Sequence, residues 1–176
     1  MIAPGDSEQL LTFLLAGDDY AVGIRHVEEV VSCGIITRVP AVPAFIRGAM
    51  NLRGQPIAVI DLALKLGFPE TALTRWTCLL LVRAVINGEP TSLGVLIDAA
   101  RQLIECTVED IKPPPPLGTR VHPEYLRGLV SVGDRFVPML DIQRLLSAEE
   151  LLLVEAVTEV PSEPPAGPMA DLNRKP

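Results

Sequence analysis

One stretch of the chain is repeated. Residues 45–62, FIRGAMNLRGQPIAVIDL, align without a gap to residues 125–142, YLRGLVSVGDRFVPMLDI, at a constant offset of 80 positions. The alignment holds three identities and nine further pairs that are apolar on both sides. In a chain that is 48% apolar, chance would pair apolar with apolar at only about a quarter of positions. The sequence therefore predicts two copies of one small unit, with a groove between the halves and no extra catalytic insertion.

The composition limits the fold and the partners. Few of the 176 residues are aromatic (4%), so Val, Ile, Leu and Ala must fill the core, which is typical of narrow β-barrels. The net charge of −7, without any basic run, argues against sequence-independent binding of nucleic acid. No Walker loop and no Gly-x-Gly-x-x-Gly occurs, so no cofactor is predicted.

The cysteines and the hydropathy point to a cytoplasmic protein. Cys33, Cys78 and Cys106 are far apart and in no metal-binding spacing, so we expect buried free thiols and no metal site. The first residues, MIAPGDSEQ, have no signal-peptide pattern, and no apolar run approaches 18 residues. We expect no insertion into a membrane.

Turn chemistry predicts three hairpins. The paired apolar runs are 10–15 with 20–22 around Gly17, 46–52 with 57–60 around Arg53 and Gly54, and 76–86 with 92–97 around Asn87 and Gly88. Residues 24–31 fit a brief turn followed by a strand, with a helix as the competing interpretation. Pro113–Pro116 is predicted to be an extended connector, and the Ser147–Glu150 capping box predicts a helix over about 148–157.

Asp61 and Asp141 are the repeated acids, and two explanations compete for them. Each ends a predicted strand before a short helical segment, so each can cap that helix. A remote alternative is an enzyme in which the two carboxylates share a proton, but the Asp-Thr-Gly turn of such sites is missing. Capping is the favoured prediction. His26 and His122 are the only histidines and have no triad spacing.

Two surface positions are candidates for partner binding. Arg53 lies at a predicted turn, where its planar guanidinium could meet a partner carboxylate or carbonyl, or simply face solvent. Val27 beside Glu28 and Glu29 forms an apolar contact with an acidic rim, and it could equally belong to the core.

Five segments, in order, resemble CheW, the family of coupling proteins of bacterial chemotaxis. They are YAVGIRHVEEV at 20–30, VPAFIRGAMNLRGQPIAVIDL at 42–62, LGVLIDAARQLIE at 93–105, IKPPPPLG at 111–118 and EYLRGLVSVGDRFVPMLDIQRLLSAEE at 124–150. The resemblance implies an all-β fold with short helices, in which two five-stranded SH3-like β-barrels pack face to face. It places the domain at 9–157, after a flexible start at 1–8 and before a disordered tail at 158–176. The first barrel is expected at about 9–68 and the second at about 76–146.

The resemblance also implies a function. It predicts a non-catalytic adaptor that couples the cytoplasmic tips of methyl-accepting chemotaxis receptors to the regulatory domain of a CheA-type histidine kinase. The family's receptor-contact positions match Val27, Glu29 and Arg53, while the kinase-contact residues stay unassigned, on a surface near the hairpin of the second repeat. The alternative is a scaffold of the same kind in a gliding, pilus or developmental pathway. Cytoplasmic recruitment to membrane-associated receptor arrays follows from either.

Overall fold

The computed structural model describes residues 6–114 and 120–159. Within these residues lie twelve strands and two α-helices. The strands are β1 (Ser7–Leu15), β2 (Asp18–Gly23), β3 (Val27–Ser32), β4 (Ile36–Thr37), β5 (Ile46–Leu52), β6 (Gln55–Asp61), β7 (Cys78–Ile86), β8 (Glu89–Ile97), β9 (Ala99–Thr107), β10 (Ile111–Lys112), β11 (Leu126–Val132) and β12 (Arg135–Leu140). The helices are α1 (Leu62–Lys65) and α2 (Ala148–Glu159), and short 3-10 helices occupy Ile24–His26, Val108–Asp110, Pro123–Tyr125 and Ile142–Arg144.

The three predicted hairpins are confirmed. They are β1–β2, β5–β6 and β7–β8, and Asn87 in the last turn has the positive φ of 53° that Asn-Gly turns favour. The brief turn before a strand is confirmed by the 3-10 helix Ile24–His26 ahead of β3. Of the proline run, only Pro113 and Pro114 lie within the described residues, and they form no regular element. Of the predicted flexible start at 1–8 and disordered tail at 158–176, residues 1–5 and 160–176 lie outside the described residues. Ser7 and Glu8 instead begin β1, and residues 158–159 end α2.

The sequence repeat is a structural repeat. Strands β5 and β6 correspond to β11 and β12, and each pair has a bulge at the same place, next to Gly48 or Gly128. A glycine is required there because a Cβ on Gly48 would lie 2.0 Å from the carbonyl oxygen of Thr37. The amide of Asp61 donates to Phe45 (2.6 Å) and that of Asp141 to Tyr125 (2.9 Å), again 80 positions apart. Both copies therefore close their hairpins in the same way.

The strands form two six-stranded sheets with matching topology. One has the order β10-β11-β12-β2-β1-β9, and the other the order β4-β5-β6-β8-β7-β3. Within each sheet, a strand of one hairpin pairs in parallel with the last strand of the second hairpin. These parallel pairs are β2 with β12 in one sheet and β8 with β6 in the other. The two SH3-like barrels of the expected fold are these sheets, each with a two-residue strand, β4 or β10, as a sixth member.

The predicted barrel boundaries are wrong. The N-terminal hairpin β1–β2 belongs to the sheet of β9–β12, and the hairpin β7–β8 belongs to the sheet of β3–β6. The two repeats thus exchange their hairpins, and the ranges 9–68 and 76–146 each contain strands of both sheets. The sequence repeat identifies the duplicated unit. The sequence pattern within a hairpin does not specify which of the two barrels that hairpin joins.

Three apolar clusters hold the fold together. Each barrel has its own interior, one around Leu10, Val130 and Met139 and the other around Ile57, Leu79 and Leu96. The largest cluster takes residues from both sheets and from α2; it includes Phe13, Tyr20, Ile60, Val95, Leu140 and Val154. This cluster forms an apolar seam between the barrels, and its burial removes a large apolar area from water.

Candidate functional site

Two of the three predicted receptor-contact residues, Glu29 and Arg53, are in direct contact, and the third, Val27, lies on the same strand as Glu29. Arg53 occupies the turn between β5 and β6, where it and Gly54 have positive φ values of 52° and 86°. The side chain of Asn51 fixes this turn by accepting a hydrogen bond from the Gly54 amide at 2.8 Å. Glu29 and Val27 lie two residues apart on β3.

Arg53 binds Glu29 in a bidentate ion pair. Its Nη1 donates to Glu29 Oε1 at 3.1 Å and its Nη2 donates to Oε2. The hydrogen bond from Arg53 holds the pKa of Glu29 below its ordinary value, and Glu29 correspondingly raises the pKa of Arg53. Strand β3 and the β5–β6 turn are not neighbours in the sheet, so the pair joins two separate parts of this barrel. The guanidinium was predicted either to meet a partner or to face solvent, whereas in the structure it is engaged within the chain.

Val27 lies on the strand next to one that lines an apolar groove. It is half-buried against the seam and pairs with Val82 on β7. Val82 lines a groove of 280 Å³ between the β6–β8 sheet and the segment that follows β12. The groove is mainly apolar, and its lining includes Ala84, Val85, Leu93, Leu145, Leu146 and Leu151. Such a surface fits the apolar face of a helix.

A second polar cluster lies at the edge of the groove. Glu28 sits in the β3 bulge and accepts from Arg83 Nη2 at 2.5 Å and from Ser92 Oγ at 2.7 Å. Arg83 also lines the groove. Sequence reasoning missed Arg83 and Ser92 because they lie 55 and 64 positions from Glu28, and no local pattern indicates that β3 pairs with β7.

Asp61 and Asp141 do not form a shared-proton pair. Asp61 caps α1 by accepting from the Leu64 amide at 3.2 Å, and Asp141 caps the 3-10 helix Ile142–Arg144 by accepting from the Gln143 amide at 3.1 Å. Each carboxylate thus has its own helix and its own partners, as capping predicts. Asp61 is fully buried and also accepts from Arg47 Nη1 at 2.8 Å.

A lysine fastens α2 to the seam. Lys65 Nζ donates to both carboxylate oxygens of Glu150 at 2.9 and 2.7 Å, and it lies 4.7 Å from the ring centre of Phe45 and 5.9 Å from that of Tyr125. Phe45 and Tyr125 are equivalent positions of the repeat. Glu150 also completes the predicted capping box by accepting from the Ser147 amide at 2.8 Å. Burial raises the pKa of Glu150, but the hydrogen bonds from Lys65 and Ser147 outweigh it and lower the pKa overall.

The cysteines are free. Cys106 is buried as predicted, whereas Cys33 and Cys78 are half-buried, and burial raises the pKa of the Cys33 and Cys106 thiols. Across residues 6–114 and 120–159, no cluster of His, Cys, Asp and Glu could hold a metal ion. In the same part of the chain, no helix has the length and apolarity needed to span a membrane.

Comparison with known proteins identifies relatives over most of the chain. Residues 9–150 match the family model described as CheW-like domain. Chemotaxis protein CheW of Klebsiella aerogenes is 32% identical over 152 residues, which cover 86% of this chain and 89% of the relative. Protein FrzA of Myxococcus xanthus is 32% identical over 132 residues, which cover 73% of this chain and 79% of the relative.

A solved structure shares the fold. The crystal structure of the scaffolding protein TtCheW from Thermoanaerobacter tengcongensis superposes with a TM-score of 0.72 at 30% identity. The match covers 84% of this chain and 94% of that one. The two-barrel architecture described above therefore has an experimental counterpart.

Proposed function

The chain belongs to the CheW-like domain family and is a chemotaxis coupling adaptor, and we propose that it joins methyl-accepting chemotaxis receptors to a CheA-type histidine kinase. It does so without catalysis, as a scaffold with two binding surfaces. It works in the cytoplasm and is recruited to receptor arrays at the membrane.

The observation that carries this proposal is the apolar groove lined by Val82 of β7, the strand that pairs with β3. A receptor tip is a helical hairpin, and the groove would accept the apolar side chains of one of its helices. Val27 pairs with the groove residue Val82, and we propose it as an apolar anchor for the docked helix. Glu29 and Arg53 fix the orientation, because an ion pair at a rim has donors and acceptors left for a partner's polar groups.

The kinase is proposed to bind on another surface, near the β11–β12 hairpin. A kinase regulatory domain that resembles this chain would present the same barrel shape, so that barrel ends can pack against each other. The β11–β12 hairpin carries Phe136, whose large apolar side chain is exposed. Exposed aromatic residues are frequent anchors of protein interfaces. No individual kinase-contact residue is assigned.

Arg53→Glu tests the receptor surface. We expect this variant to lose co-sedimentation with receptor fragments, because it places two carboxylates side by side at the rim, while the thermal transition stays almost unchanged. Arg135→Glu is the matched control: Arg135 is 65% exposed against 66% for Arg53, and it pairs with Asp19 as Arg53 pairs with Glu29. Receptor binding should survive in the control. Undiminished receptor binding by Arg53→Glu would remove Arg53 from the site.

A charge exchange separates the two roles of Arg53. The double variant Glu29→Arg with Arg53→Glu keeps an ion pair between the same two positions but reverses its direction. If Arg53 contacts the receptor, the double variant remains defective. If the pair only holds β3 to the turn, the double variant binds normally and Arg53 is a positioning residue.

The similarity to Protein FrzA supports a second candidate, a scaffold of a gliding, pilus or developmental chemosensory pathway. Its groove and rim would work in the same way with a different receptor and kinase. Affinity purification from the native cell distinguishes the two candidates, since the captured receptors and kinase identify the pathway.

A further inference from the structure

The repeated Arg and Asp residues are buried in one copy and partly exposed in the other, and Arg47 binds Asp61 whereas Arg127 binds Glu8. In the first copy the side chains of Arg47 and Asp61 are 8% and 0% exposed, whereas their equivalents Arg127 and Asp141 are 34% and 23% exposed. The backbone around both pairs is the same, with the same bulge and the same hairpin closure. The difference therefore comes from what lies over the pair.

In the first copy, a segment of the chain itself covers the pair. Thr71 donates its amide to Asp61 Oδ2 at 3.0 Å and its hydroxyl to Oδ1 at 2.9 Å. Its carbonyl oxygen accepts from Arg47 Nη1 at 3.1 Å, and the Glu70 carboxylate lies 3.3 Å from the same nitrogen. An acidic residue followed by threonine thus satisfies both members of the pair.

In the second copy, the same position is a cavity. Arg127 and Asp141 line a space of 310 Å³ together with Arg25, His26 and Gln143. The chain that follows Asp141 continues into α2, which packs on β5, β6 and β7 of the other barrel. Among residues 6–114 and 120–159, Glu8 of β1 pairs with Arg127, but no residue outside the helix that Asp141 caps donates to Asp141 as Thr71 donates to Asp61.

The polar groups of the cavity can form further hydrogen bonds and ion pairs. Arg127 is engaged by Glu8, with both nitrogen-to-oxygen distances at 2.7 Å. The Asp141 carboxylate accepts from the Gln143 amide and lies 3.3 Å from Arg144 Nε, whereas Asp61 accepts four hydrogen bonds, from Arg47, Leu64 and twice from Thr71. Arg25 is exposed and has no ion-pair partner within the described part of the chain. The cavity thus offers an acceptor, Asp141, and a cation, Arg25.

We propose that this cavity binds an extended segment of a partner protein in which an acidic residue precedes a serine or threonine. The amide and hydroxyl of the Ser or Thr donate to Asp141, as those of Thr71 donate to Asp61. The acidic side chain meets Arg25, which takes the role that Arg47 has toward Glu70, because Arg127 is held by Glu8. A charged acceptor and a charged donor make these hydrogen bonds stronger than neutral ones. This site adjoins the apolar groove, with which it shares Ile142 and Gln143 as lining residues, but it does not depend on the adaptor function.

The first copy supplies the probe. A capped peptide with the sequence of residues 67–74, GFPETALT, is titrated into the full chain while the backbone amide signals are followed by NMR. We expect saturable shifts at Gly23, Arg127 and Gln143. A matched peptide with Thr71→Val keeps the shape and removes the hydroxyl, so it should bind at least about tenfold more weakly. The Asp141→Asn variant should weaken the original peptide similarly, while Asn still provides a helix cap.

The outcomes decide the proposal. Absence of saturable shifts below about 1 mM peptide overturns it, and so do shifts confined to Thr71 and its neighbours, which would show exchange in the first copy. Equal affinity of the two peptides also overturns it. Arg25→Gln is a second variant at an exposed residue, so a folding defect of Asp141→Asn leaves the test intact. Because the experiment reads peptide binding and not receptor co-sedimentation, its failure and the failure of the adaptor proposal are distinguishable.

Discussion

Replacing Asp61 by alanine should destabilise this protein far more than the same change at Asp141. Asp61 is buried and compensates the buried charge of Arg47, so its removal leaves that guanidinium without its main partner. Breaking a buried ion pair by deleting one partner costs about 3–5 kcal/mol. Asp141 is partly exposed and acts as a helix cap, and deletion of such a cap costs about 0.5–2 kcal/mol.

Urea unfolding of the two variants measures this difference directly. We expect Asp61→Ala to lower the free energy of unfolding by at least about 2 kcal/mol more than Asp141→Ala does. In a chain of this size each kcal/mol shifts the melting temperature by roughly 2–4 °C. Adding Arg47→Met to Asp61→Ala should recover part of the loss, since it removes the uncompensated buried charge.

Equal destabilisation by the two alanine substitutions would refute this reasoning. It would mean that the segment over Asp61 contributes no stability beyond that of the helix cap that both copies share. Failure of Arg47→Met to recover stability would refute the narrower claim that the orphaned guanidinium causes the loss.

Further predictions concern α2 and the repeated glycine. Lys65→Met should lower the free energy of unfolding by about 1.5–3 kcal/mol in urea, because the bonds to Glu150 are lost. The folded-state pKa of Glu150 is lowered, so the stability that this carboxylate contributes is complete at neutral pH and is lost as the pH falls through that pKa, below the ordinary carboxyl range. Lys65→Met should flatten this dependence of stability on acid pH. An unchanged pH profile would argue against the role of Lys65. Gly48→Ala should cost at least about 2 kcal/mol, because φ is +140° and the added Cβ would collide with the Thr37 carbonyl. Gly88→Ala, at φ +80° with open space around it, is the control and should cost roughly 1 kcal/mol in the same unfolding assay; equal losses would show that the collision is relieved.

Local sequence chemistry specified the elements of this fold. Asn87 and Gly88 fix a hairpin because their backbone can take the positive φ that the turn needs. Ser147 and Glu150 start α2 by satisfying amides that no helical carbonyl can reach. The offset of 80 between the repeats carried the same information at a larger scale, because equivalent positions of a duplicated unit bury the same kinds of side chain.

The candidate site was predictable only in part. The resemblance to CheW pointed to Val27, Glu29 and Arg53, and the structure brings Glu29 and Arg53 into contact, with Val27 on the same strand as Glu29. The resemblance could not show that Arg53 is already bound to Glu29, 24 positions away, or that Arg83 and Ser92 complete the edge of the groove. These contacts depend on how the strands are arranged in the barrel. The sequence between the contacting residues does not indicate that arrangement.

The sequence by itself determined that the chain is a duplicated set of short strands with defined turns and caps, since periodicity, turn residues and capping residues act over a few positions. Only the tertiary structure decided which hairpin completes which barrel, because either copy offers the hairpin a similar apolar edge. It also decided that Asp61 is covered by Thr71 while Asp141 faces a cavity. The two aspartates have the same local sequence setting, and what differs is the path of the chain after each one.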